Sequence, residues 1–193
     1  MKDPTLYKIF RFIFTPFFKW YFHPTIIGKD KIPKEGAIIL AGNHKHALDP
    51  ILVDVTTKRC VHALAKSELF EGPFGFFFKR IGSIPVYLDA KSNPEALKAA
   101  IKSLKEGKVI NVSPEAERNY TSEILLPFKK GAVRMSKETG SKIIPYCIVG
   151  DYKFRSKDLK IVYGEAIQVG DLEIEEANEK LFNAVKGLLL ENK

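Results

Sequence analysis

Short apolar runs alternating with helical segments predict an α/β domain with a mainly parallel central sheet flanked by helices. Three observations carry this expectation. Ala37-Ile38-Ile39-Leu40-Ala41, Val61-His62-Ala63-Leu64-Ala65 and Ile143-Ile144-Pro145-Tyr146-Cys147-Ile148-Val149 are apolar, bounded by turn residues and too short for buried helices. Between such runs lie stretches with helical apolar spacing. The 193 residues, 45% of them hydrophobic, suit one domain with a sizeable core.

The chain opens on an aromatic segment, residues 5–23, with Lys8, Arg11 and Lys19 threaded through it. Pro16 is expected to break or kink a helix here. The uncharged run from Phe12 to Lys19 is far too short to span a bilayer, and no small-residue cleavage site follows it. Aromatics interleaved with Lys and Arg suit a membrane interface, while an amphipathic helix packed on its own domain is the plainer alternative. The single Trp, the many Phe and the net charge of +8 favour the interface. Residues 1–24 are thus expected to form an amphipathic membrane-associating helical segment, and residues 25–193 the main domain.

Residues 26–36 read as a polar turn leading into the first core strand, 37–41. A strand-to-helix turn follows, Gly42-Asn43-His44-Lys45-His46-Ala47-Leu48-Asp49-Pro50. Pro50 fits the first helical position and Asp49 the cap before it, with the helix over 50–58. The second strand is 61–65. Gly72 to Gly82, greasy and basic-ended, suits a short helix facing lipid, an acyl chain or the core, and Ser83–Tyr87 is the next strand. Pro94–Glu106 is a helix capped by Asn93, with a stripe of Ala96, Leu97, Ala100, Ile101 and Leu104 and a terminating Gly107. Lys108–Val112 is a strand, a helix from about Phe128 ends near Gly140, and strands at 143–150 and 160–164 precede a terminal amphipathic helix over 173–190. Spacing does not fix the strand order.

Composition narrows the partners. A pI of about 9.3 favours an anionic partner such as an anionic bilayer or an acidic carrier. No helix-turn-helix, zinc or stacking motif supports a nucleic acid, and no Cys-x-x-Cys or His-Glu-x-x-His spacing supports a metal. Cys60 and Cys147 are the only cysteines, in apolar settings. They read as small core residues in a reducing compartment.

His44 and Asp49 are the minimal parts of a general base. The carboxylate holds one ring nitrogen as donor, and the other nitrogen takes a proton from a hydroxyl. Five residues apart, they cannot share one face of a continuous helix, but a turn can fold Asp49 under His44. On spacing alone, the plainer reading is a capping Asp and a loop His. His46 is a rival base, only three positions from Asp49.

Asn43-His44-x-x-x-x-Asp49 after a strand resembles the first block of the PlsC-like 1-acylglycerol-3-phosphate acyltransferase family. Further blocks follow in the family's order. Lys66-Ser67-Glu68-Leu69 is similar to its Lys-x-Glu-Leu stretch. Gly82-x-Ile84-Pro85-Val86 resembles its second block, with Leu88 where an arginine is usual and Arg80 as a substitute across the strand. Ser113-Pro114-Glu115-Ala116-Glu117-Arg118 stands where the family has Phe-Pro-Glu-Gly-Thr-Arg; Pro114, Glu115 and Arg118 match. Phe128-Lys129-Lys130-Gly131-Ala132 and the Pro145 strand also resemble family segments. Together these cover most of residues 26–165.

The resemblance implies transfer of a fatty acyl group from acyl-CoA or acyl carrier protein to the free hydroxyl of a lysophospholipid, with 1-acylglycerol-3-phosphate as the acceptor. It implies His44 as base, Asp49 as its partner, and Lys66, Arg80, Glu115 and Arg118 as substrate-binding residues. It calls for no metal or cofactor beyond the thioester donor, and it places the protein at the cytoplasmic face of the cell membrane. Leu88 and Glu117 motivate another acceptor, such as a lyso-ornithine lipid or glycerol 3-phosphate; the second alternative is a non-catalytic lipid-binding relic, against which the retained His44 and Asp49 argue.

Overall fold

The computed structural model describes residues 5–73, 75–87 and 93–193. The expected α/β architecture is present. A seven-stranded sheet is formed by β1 (Thr25–Ile27), β2 (Ile38–Gly42), β3 (Val61–Lys66), β4 (Ile84–Val86), β5 (Val109–Val112), β6 (Lys142–Val149) and β7 (Lys160–Tyr163), in the order β1-β7-β6-β2-β5-β3-β4. The strands from β6 through β4 in that order run parallel. β7 runs against β6, and β1 follows β7. β1 overlaps the start of the stretch that reads from sequence as a polar turn. Its three residues carry no alternation long enough to announce a strand.

Alternation along the strands divides the core. Ile39 and Ala41 of β2, with Ile110, Val112, Ile143 and Cys147, face α4 (Pro94–Lys105), α5 (Gly131–Thr139) and α6 (Ile174–Asn192). Ile38 and Leu40, with Val109, Ile144, Tyr146 and Ile148, face α1 (Thr5–Phe22) and α2 (Asp49–Thr56). α3 (Gly75–Arg80) bridges β3 and β4. Both cysteines are buried and neither forms a disulfide, and burial pushes the Cys147 thiol up to about 12, leaving it inert at neutral pH.

Pro16 does not break α1, which runs unbroken from Thr5 to Phe22. An interior proline costs roughly 3 kcal/mol, and packing on both sides of it offsets that cost. Phe18 is fully buried. Tyr7 donates its hydroxyl hydrogen bond to Asp54 of α2 and accepts bonds from Arg11 Nη1 at 3.0 Å and Val61 N at 3.2 Å. The opposite side of α1 exposes Ile9, Phe12, Ile13, Phe17 and Trp20. The helix is therefore apolar on two sides, one against the sheet and one outward. No helix among the described residues is long and apolar enough to cross a membrane.

Asn93 precedes α4 as expected, but its side chain does not cap the helix. It bonds the backbone of Tyr87 instead, accepting from N at 2.7 Å and donating to O at 2.8 Å.

Candidate active site

β2 lies between β6 and β5, so the turn after it emerges at the carboxyl edge of the parallel strands, where open α/β sheets bind ligands. Gly42 ends the strand against β6. A Cβ there would lie 2.4 Å from the Tyr146 ring, so only glycine lets the two backbones come this close. Asn43 then clamps the turn to β6. Its amide donates to Ile148 O at 3.0 Å and accepts from Ile148 N at 2.7 Å.

The turn folds Asp49 back to His44. Asp49 Oδ2 lies 2.9 Å from His44 Nδ1 and also accepts the backbone N–H groups of Lys45 and His46, each at 2.7 Å. Asp49 is not a helix cap. It is the first residue of α2, Leu48 holds the cap position, and its carboxylate organises the preceding loop. That carboxylate is almost wholly buried, while the His44 side chain keeps about a fifth of its surface exposed. With Nδ1–H donating to Asp49, the Nε2 lone pair is left to accept a proton.

Glu115, just beyond β5, braces the same turn. Its Oε1 accepts His44 N and its Oε2 accepts Leu126 N, both at 2.8 Å. Burial pushes this carboxyl above its usual range, and the two backbone donors pull it back. Both oxygens are thus engaged by the chain itself. Ala116 follows at φ 64°, the left-handed region that favours glycine. The turn keeps its shape here with a methyl group where the family pattern has none.

His46 is turned away from proton-accepting chemistry at Nδ1, which takes Leu48 N–H at 3.2 Å. Its ring stacks on Tyr152, with centroids 4.5 Å apart. Tyr152 donates its hydroxyl to Asp49 Oδ1 at 2.7 Å. No motif points to Tyr152 from sequence; the only cue is its place just after β6, at the carboxyl edge.

The structure brings His44, Asp49 and Glu115 into one cluster. Arg118 is close by, because Asn119 N donates to His44 O at 2.9 Å; its guanidinium lies over the Tyr120 ring at 5.3 Å. Lys66 and Arg80 belong to a neighbouring region. Lys66 ends β3, two strands from β2 and so about 10 Å away at ordinary strand spacing. It pairs with Glu68 at 2.9 Å, and Arg80 lies over the Phe76 ring at 4.6 Å. Beside them a cavity of about 390 Å³ opens between Ser67, Phe70, Lys79, Ser83, Pro85 and Tyr87. A second cleft, of about 420 Å³, is lined by Asn43, His44, Glu115, Asn119, Ile148 and Leu189. Leu88 lies outside the described residues.

An imidazole oriented by a buried carboxylate, at the carboxyl edge of an open parallel sheet, is an arrangement that can do acid–base chemistry. Residues 23–149 match the family model described as Acyltransferase. The chain belongs to that acyltransferase family, in its PlsC-like group. It is similar to 1-acyl-sn-glycerol-3-phosphate acyltransferases from Borreliella burgdorferi (29% identity over 75% of this chain and 57% of that one) and Bacillus subtilis (28% over 81% and 79%). The chain thus spans little more than half the length of the first of these. The fold is that of the crystal structure of the 1-acyl-sn-glycerophosphate acyltransferase PlsC from Thermotoga maritima. The TM-score is 0.76 at 24% identity, over 96% of this chain and 78% of that one.

Proposed function

We propose that this protein transfers a fatty acyl group from a thioester, acyl-CoA or acyl carrier protein, to the free hydroxyl of 1-acylglycerol-3-phosphate, giving phosphatidic acid. The observation that carries the reading is the 2.9 Å contact between His44 Nδ1 and Asp49 Oδ2, in a chain of this family. His44 Nε2 takes the acceptor's hydroxyl proton as its oxygen attacks the thioester carbonyl. The tetrahedral intermediate collapses with loss of the thiolate, which the imidazolium reprotonates. Asp49 stabilises that imidazolium. No covalent enzyme intermediate is required, because the thioester is already activated.

In this reading Arg118, beside the His44 turn, binds the acceptor phosphate through its planar fork, and Lys66 at the end of β3 and Arg80 at the end of α3 add charge. Glu115 shapes the turn that presents the base. Residues 25–193 form the catalytic domain. The test is an assay offering several lysolipids with acyl-CoA and acyl carrier protein donors. Arg118→Ala should raise the KM for 1-acylglycerol-3-phosphate roughly tenfold or more while leaving the donor KM nearly unchanged. Lys66→Ala should act in the same direction. An unchanged acceptor KM in Arg118→Ala would favour a lysolipid without a phosphomonoester.

The exposed side of α1 serves as the contact with an anionic bilayer at the cytoplasmic face of the membrane. Phe12, 83% exposed, and Phe17 and Trp20, each more than half exposed, share α1 with the exposed Lys8 and Lys19, while Arg11 turns inward to Tyr7 and Asp54. Phe12→Ser with Phe17→Ser should weaken sedimentation with anionic vesicles about 100-fold, as each buried Phe is worth about 1.5–3 kcal/mol. The melting temperature should stay unchanged. Undiminished vesicle binding would place the contact elsewhere.

A further inference from the structure

We infer that Tyr152 is a positioning residue for the His44–Asp49 pair, holding Oδ1 so that Oδ2 stays turned to His44 and the backbone of its turn. The inference rests on the functional reading above for its kinetic consequence, though not for its geometry. Oδ2 accepts His44 Nδ1–H and the backbone N–H groups of Lys45 and His46. Oδ1 accepts the Tyr152 hydroxyl at 2.7 Å. A carboxylate this deeply buried is held by donors to both oxygens, and losing one leaves Oδ1 without its charge-assisted bond.

The phenol is itself placed by packing from two other elements. His46 stacks on its ring, and Phe22 of α1 meets it edge-on with centroids 5.7 Å apart. Burial, and then the negative charge of Asp49, hold the phenol protonated far above neutral pH, so it is always a donor. The other titratable groups around the pair are Lys45 and His46 in the turn, Glu115 beyond β5, and Tyr146 on β6. Lys45 reaches Gly150 O, and Tyr146 OH bonds Asn111 Oδ1 at 3.0 Å. None of these donates to Oδ1 in place of Tyr152.

Removing the phenol O–H concentrates the carboxylate charge on Oδ2. That strengthens its bond to His44 Nδ1–H, stabilises the imidazolium and frees the carboxylate to rotate. Tyr152→Phe keeps the ring and both ring contacts while deleting only the donor. Replacing Tyr152 with 3-fluorotyrosine instead strengthens the donor and perturbs packing least.

The test uses the full chain, with nitrogen-labelled histidine to follow the His44 Nδ1–H proton resonance and with kcat/KM measured against pH. Tyr152→Phe is expected to move the resonance downfield and shift the acid limb of kcat/KM up by about half a pH unit or more. It should lower kcat roughly tenfold with little change in acceptor KM. The 3-fluorotyrosine protein should move resonance and limb the opposite way, and it decides the matter should Tyr152→Phe not fold. If the resonance and the limb stay in place in both proteins, the inference is overturned, whatever happens to kcat. A wild-type chain that transfers no acyl group would sink the functional reading, while the resonance shifts would still decide the role of Tyr152.

Discussion

His44→Ala should lower acyl transfer by at least about 10³-fold while leaving the melting temperature and vesicle binding close to wild type. A positioned general base contributes about 10²–10⁴-fold, and an alanine can neither take the hydroxyl proton nor return it to the leaving thiolate. The side chain is partly exposed, so its removal opens no large cavity. His46→Ala should cost far less, because His46 stacks on Tyr152 and spends Nδ1 on the backbone of Leu48. Turnover of both variants, measured beside their melting curves, separates the two histidines. A dead His46→Ala with an active His44→Ala would reverse their roles.

Glu115→Ala should damage both stability and activity. It leaves the buried-turn N–H groups of His44 and Leu126 without their acceptor, at about 1–3 kcal/mol each. It also frees the backbone of the base itself. A misplacement of about 1 Å costs on the order of 100-fold in rate, so kcat should fall by about that factor even in the fraction that folds. Glu115→Gln retains one acceptor oxygen and should fall between. The pH dependence of stability has a definite sign. Burial raises this carboxyl above its ordinary value, so the folded chain binds the proton more tightly than the unfolded chain does. Its contribution to stability is present below the ordinary carboxylate range and is lost as pH rises through the elevated folded value. The stability of wild type relative to Glu115→Gln should therefore fall as pH rises from the ordinary carboxylate range through the elevated folded value, as measured by urea denaturation. A rise over that window would contradict the buried placement.

The parts of this molecule that could be read from sequence are those whose signal is local. The core strands and α4, α5 and α6 carry apolar runs or stripes of the right period, and the site is pointed to by the ordered blocks that resemble a family, since the Asn43-His44 to Asp49 spacing by itself favours a capping Asp and a loop His. What the sequence hides depends on partners far along the chain. Tyr152 meets Asp49 across 103 positions, and no local pattern marks it. The placement of β2 between β5 and β6 is a matter of long-range packing. β1 exists because β7 pairs with it through Thr25, Ile26 and Ile27. Two local rules pointed the wrong way for the same reason. Pro16 sits within a helix held on both sides by Tyr7 and Phe18, and Asp49 spends its oxygens on a preceding loop and a distant phenol. In each case tertiary contacts outweighed a propensity of a few kcal/mol.

Phe22 lies edge-on to Tyr152, and Arg155 N donates to Tyr21 O at 2.6 Å, while Trp20 and Tyr21 flank Phe154. The end of α1 is thereby spliced into the loop that carries Tyr152. Such a helix is not an interchangeable anchor. A foreign helix grafted in its place would leave the aromatic support of the carboxylate missing. Evolutionary drift in α1 is constrained on the same account: substitutions in its last turn reach the Asp49 carboxylate through Phe22 and Tyr152.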